Sequence, residues 1–107
     1  MRNALLVDYE YCTGCHTCEI ACQQERGLAP DEFGIEIKEI GPYQLNERKW
    51  QLDYIPVPTE RCNRCLTRTQ NGKDPSCVKH CQAGCLSYGP AAVLADKIDH
   101  AKMVLFG

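Results

Sequence analysis

The spacing of nine cysteines in a chain of 107 residues leaves few folds open. Cys12, Cys15, Cys18 and Cys22 form the run C-x2-C-x2-C-x3-C. Cys62, Cys65, Cys77, Cys81 and Cys85 form a second group: C-x2-C, an insertion, C-x3-C and one further cysteine. Aligned, Cys77 and Cys81 take the places of Cys18 and Cys22, so the two groups are an internal repeat in which Cys85 has no counterpart. Thiols at this density are held by disulfides or by metal. Hydrophobic residues make up 44% of the sequence, but that figure includes the cysteines, with only 2 Phe and 1 Trp. This is a thin stock for a core without such help.

The start of the chain favours metal. Met1-Arg2-Asn3 leads into Ala4-Leu5-Leu6-Val7, which Asp8 stops well short of the apolar length of a signal peptide. No stretch reaches the length of a membrane span. The expectation is a cytoplasmic chain in a reducing compartment, where dense cysteine usage means metal thiolates more often than disulfides. Twelve Lys and Arg against 14 Asp and Glu give a formal charge of -2. That balance supplies no reason to expect nucleic acid or an anionic membrane surface as partner.

Local signals around each cysteine group read strand, loop, helix. Leu5 to Asp8 is a strand, Gly14 lets the loop turn, and Cys18 to Arg26 is a helix ended by Gly27. In the second half Asp74 and Pro75 open a helix as N-cap and first residue; it runs through Cys77 and Cys81 to Gly84, and Cys85 to Tyr88 answers as a strand. Between them, Ile35 to Lys38 and Trp50 to Tyr54 alternate with period two, and Gly41-Pro42 breaks the chain. Ala91 to Ile98 suits a helix and Met103 to Phe106 a last strand. The expected fold is α+β, one domain over 1–107 with half-motifs 1–27 and 59–89 in pseudo-twofold repeat and a hairpin inserted at 33–57.

Three cysteines spaced by two residues on one tight loop can hold three irons of a cubane. A fourth at i+4 on a helix lies about 6 Å further along the axis, out of comfortable reach of the same cubane. This run is the two-cluster bacterial ferredoxin pattern, in which that cysteine ligates the other cluster. Applied here, it gives cluster I to Cys12, Cys15, Cys18 and Cys81, and cluster II to Cys62, Cys65, Cys77 and Cys22. Each helix then carries one ligand for each of two [4Fe-4S] clusters, whose centres lie on the order of 10 Å apart, and the expected α+β domain is bicluster ferredoxin-like. Zinc in two all-cysteine sites is the competing reading; zinc modules are usually assembled from separated cysteine pairs rather than from this run.

Tyr11-Cys12-Thr13-Gly14-Cys15-His16-Thr17-Cys18-Glu19-Ile20-Ala21-Cys22 followed by Gln23-Gln24-Glu25 resembles the first cluster motif of the iron-sulfur subunits of dimethyl sulfoxide reductase-type molybdopterin oxidoreductases. Ile40-Gly41-Pro42, Cys62-Asn63-Arg64-Cys65 and Cys77-Val78-Lys79-His80-Cys81 fit the same family. The resemblance implies a non-catalytic electron-transfer subunit. Its partners would be a catalytic oxidoreductase subunit, a molybdenum or tungsten pterin enzyme, and an electron donor or acceptor protein. A free-standing ferredoxin is the alternative, and a zinc-held interaction module the third reading. The sequence departs from the family in having one two-cluster module, where members commonly have two, and Gln82 in place of the proline after the last ligand. The repeat alignment favours Cys81 as the ligand, with Cys85 a small apolar neighbour.

His16 and His80 sit within the motifs and are expected to donate hydrogen bonds or lie in exposed loop. Arg61, Arg64, Arg68 and Lys73 surround the second group, whereas Asp8, Glu10 and Glu19 surround the first. Trp50 and Tyr54, on a segment of period two, are expected on a core or interface face.

Overall fold

The computed structural model describes residues 3–107. Its elements are β1 (Asn3–Asp8), α1 (Thr17–Arg26), β2 (Ile35–Asn46), β3 (Lys49–Pro58), α2 (Leu66–Gln70), α3 (Ser76–His80), β4 (Leu86–Pro90), α4 (Ala91–Ala95) and β5 (Met103–Phe106). Two small antiparallel sheets, β4-β1-β5 and β2-β3, and a few short helices make an α+β fold compatible with a ferredoxin-like arrangement.

The continuous apolar run at β1 reflects burial on both faces of a central strand, which period-two geometry divides between two cores. Leu5 and Val7 enter the larger core with Cys18, Cys22, Ile35, Cys77, Cys85 and Leu86, while Ala4 and Leu6 pack with Leu94 of α4. Four of those eight larger-core residues are cysteines. Sulfur therefore sits where a self-sufficient domain would place branched aliphatics.

Helix α1 ends as its sequence requires. Gly27 at φ 66° takes the left-handed conformation and returns its N-H to the Gln23 carbonyl. Helix α3 is shorter than the expected run to Gly84. It starts after Pro75, which takes the N-cap place expected for Asp74, and stops at His80 because Cys81 is extended at φ -71°, ψ 110°. A tight turn then bonds the Gly84 N-H to the Cys81 carbonyl. Helix α4 likewise stops at Ala95 rather than Ile98, since Lys97 and Ile98 bond only three residues back, as in a turn.

Gly41-Pro42 does not break the hairpin. Strand β2 continues through a cis bond there, and the irregularity is absorbed as a register shift between Ile40 and Tyr43. A side chain at Gly41, φ 101°, would run into the Gln51 carbonyl oxygen across the ladder. Trp50 is exposed rather than packed, at 60% of its free surface, whereas the Tyr54 ring covers Gly14, where a Cβ would stand 2.9 Å from ring carbons.

The carboxylate of Glu19, one of the acidic residues around the first cysteine group, is buried on α1. It takes the Ile37 N-H at 2.7 Å and the Nδ1 of His16 at 2.5 Å, bracing α1 against β2. Glu19→Ala should cost about 1–3 kcal/mol, the usual effect of stranding a buried donor. The check is the midpoint of anaerobic denaturation against wild type.

Candidate metal centre

Two cavities flank the α1–α3 contact. Cys12, Cys15, Cys18 and Cys81 line cavity I together with Cys85. Cys22, Cys62, Cys65 and Cys77 line cavity II. All nine cysteines are free thiols. Cys18 and Cys22 are one turn apart on α1 and face different cavities, and Cys77 and Cys81 divide in the same way.

The hairpin covers both openings. Ile37 and Pro56, register partners on β2 and β3, wall cavity I, while Gly34 and Ile35 wall cavity II. Gly34 is required at its place, because a Cβ there would meet the Cys22 sulfur at 2.5 Å. Apart from sulfur, the walls of cavity I are largely apolar, with Leu86 and Ala83 completing them. Cavity II has two guanidinium-bearing residues, Arg26 and Arg64, in its wall.

Burial sets the thiol electrostatics. It pushes Cys18 up to about 12, helped by the charges of Glu19, Cys12 and Cys81, and it also pushes up Cys12, Cys22, Cys77 and Cys85. Cys15 is held low, by hydrogen bonds from the Thr17 hydroxyl and backbone. Sulfurs this crowded and buried cannot ionise together without a compensating cation. A cluster of iron supplies that charge and accepts four thiolates, so the donor set fits a cubane. Additional donors stand nearby: the Ser76 N-H points at the Cys65 sulfur at 3.4 Å.

The histidines serve structure. His16 bonds Glu19, and His80 donates from Nδ1 to the Ser76 carbonyl at 2.9 Å. The acidic residues assigned to the first group are partly compensated: Nε2 of His100 lies 3.1 Å from Asp8 and 3.5 Å from Glu10. Helix α2 carries no buried residue and only one aliphatic side chain, so hydrophobic periodicity gives no sign of it. Arg26, which sequence reasoning missed, reaches cavity II from the last turn of α1, and only its basic type at a helix C-terminus hinted at a role.

Fold and thiol sites fit the class of 4Fe-4S-binding proteins, and a sequence match indicates the same cofactor. The 4Fe-4S binding domain family matches residues 5–25, the strand, loop and helix of the first cysteine group. Over 91 residues the sequence is 31% identical to one polypeptide, the B chain, of the anaerobic dimethyl sulfoxide reductase of Escherichia coli K12; the match covers 79% of the present sequence and 40% of the relative. It is 31% identical over 89 residues to the menaquinone reductase iron-sulfur cluster-binding subunit of Nitratidesulfovibrio vulgaris, covering 76% and 31%. To a putative dimethyl sulfoxide reductase iron-sulfur subunit of Halobacterium salinarum it is 29% identical over 83 residues, covering 78% and 29%. The sequence is thus similar to proteins named as polypeptides of dimethyl sulfoxide reductases and carries a 4Fe-4S binding domain match in its first cysteine group. It spans some 40% or less of the length of these relatives. No helix among the described residues is long and apolar enough to cross a membrane.

Proposed function

We propose that this protein transfers electrons through two [4Fe-4S] clusters as the small subunit of a larger oxidoreductase. Cys12, Cys15, Cys18 and Cys81 would hold one cluster, and Cys62, Cys65, Cys77 and Cys22 the other. The observation that carries this reading is the convergence of a complete set of four cysteines on each of two cavities sharing α1, α3 and the hairpin. Bound there, such clusters supply reversible one-electron chemistry. The protein's own residues do the rest. Ile35, Ile37 and Pro56 exclude water, backbone N-H groups such as that of Ser76 bond sulfur, and fixed charges set the order of potentials. The free thiols suit a reducing, cytoplasmic setting.

Tyr43, Leu45, Trp50 and Leu52 near the end of the hairpin are exposed. An apolar surface of this kind favours a docked subunit over a diffusing ferredoxin. The family resemblance makes the catalytic partner a molybdenum or tungsten pterin enzyme. Stoichiometric co-purification of a large catalytic subunit under anaerobic conditions tests this, and a protein that purifies alone from its native source contradicts it.

Charge orders the clusters. Reduction adds one negative charge, which Arg26 and Arg64 at cavity II stabilise; among the described residues, no basic side chain lines cavity I. The cluster in cavity II is therefore expected to fill first in a redox titration followed by electron paramagnetic resonance. Arg26→Gln should lower that first midpoint and leave the second nearly unmoved. An unchanged first midpoint would mean that burial and hydrogen bonds to sulfur set the order instead.

A further inference from the structure

Five sulfurs share cavity I, one more than a cubane accepts from protein. Cys85, the member without a counterpart in the repeat, is only 4% exposed, and its Sγ lies 3.4 Å from the Cys81 Sγ. It immediately precedes β4, and its carbonyl takes the Asp8 N-H at 2.8 Å, so its backbone is fixed at the edge of the sheet. Cys81, by contrast, has left α3 and is joined to Cys85 by Gln82, Ala83 and Gly84, all exposed. One sulfur is thus held on a rigid strand edge and the other on a short surface turn, both aimed into the same cavity.

We propose that Cys85 is an alternative ligand for the position Cys81 occupies, so that either sulfur completes the donor set of Cys12, Cys15 and Cys18. The inference rests on the two-cluster reading above. Exchange is redox-neutral: one iron-sulfur bond to Cys81 breaks as one to Cys85 forms, and the proton leaving the Cys85 thiol is taken up by the departing Cys81 thiolate. Two adjacent sulfurs for one position would keep the cluster when either is alkylated or oxidised.

The test compares anaerobically purified wild-type protein with Cys81→Ala, Cys85→Ala and the double variant, by iron and sulfide content and by electron paramagnetic resonance of the reduced protein. Each single variant should keep the wild-type content, about 8 irons per chain, and Cys81→Ala should show a shifted signal for one cluster only, whereas the double variant should lose about half the iron. Loss in Cys81→Ala equal to that in the double variant overturns the exchange, as does loss in Cys85→Ala alone. Should Cys81→Ala fail to fold, anaerobic iodoacetamide labelling of wild-type holoprotein with peptide mapping decides. Label divided between Cys81 and Cys85 supports exchange, and label confined to Cys85 overturns it. Failure of the two-cluster reading is distinguishable, since it appears as wild-type protein without about 8 irons, before any variant is compared.

Discussion

Cys18→Ala is expected to cut the iron of anaerobically purified protein from about 8 to about 4 per chain or fewer. Cys18 is 6% exposed and enters both cavity I and the larger core from the first turn of α1. Cys85 offers no rescue there, because its sulfur contacts are with Cys81 and Cys12. The damage should spread, since the next turn of α1 carries Cys22 into cavity II and α1 packs against α3. Loss of one cluster therefore loosens the support of the other, and the second should become more labile to oxygen. Ile20→Ala, on the 52% exposed side of the same helix, serves as the control and should retain wild-type iron. Equal iron in Cys18→Ala and wild type would remove Cys18 from the donor set.

Chelation in air, followed by thiol reduction, is expected to abolish the cooperative thermal transition. Half of the larger core's buried members are cysteines, and the largest fully buried side chains among the described residues are only Val7 and Pro56. Removing the metal leaves two cavities at the centre of a 107-residue protein and strips compensation from crowded thiols. Metal affinity then becomes folding free energy. Circular dichroism and scanning calorimetry give the check; a sharp transition in metal-free, reduced protein would show that the apolar contacts suffice.

What the sequence reveals most clearly is what depends on short spacing. The C-x2-C-x2-C-x3-C run, the Gly27 stop and the four-residue apolar start of β1 each encode their structure within a few residues, and the expected helix over Cys18–Arg26 differs from α1 by one residue. Features set by distant packing were not legible. Cys81 leaves the helix to share a cavity with Cys12, some seventy positions away in the chain, so helical composition overstated α3. Gly41-Pro42 reads locally as a break, yet the ladder with β3 carries β2 through it. Glu19 reads only as one of the charges around the first cysteine group because its partner, the Ile37 N-H, belongs to another element. The covering role of Ile35, Ile37 and Pro56 also appears only once the hairpin folds back over the cysteine loops.

The most direct test of the central claim is the metal and acid-labile sulfide content of anaerobically purified protein, measured with its spectrum before and after dithionite. Two [4Fe-4S] clusters predict brown protein with about 8 irons and about 8 sulfides per chain, bleaching on reduction to a paramagnetic state. Colourless protein carrying about 2 zinc ions and no sulfide would contradict the account and make the two cysteine sets structural zinc sites.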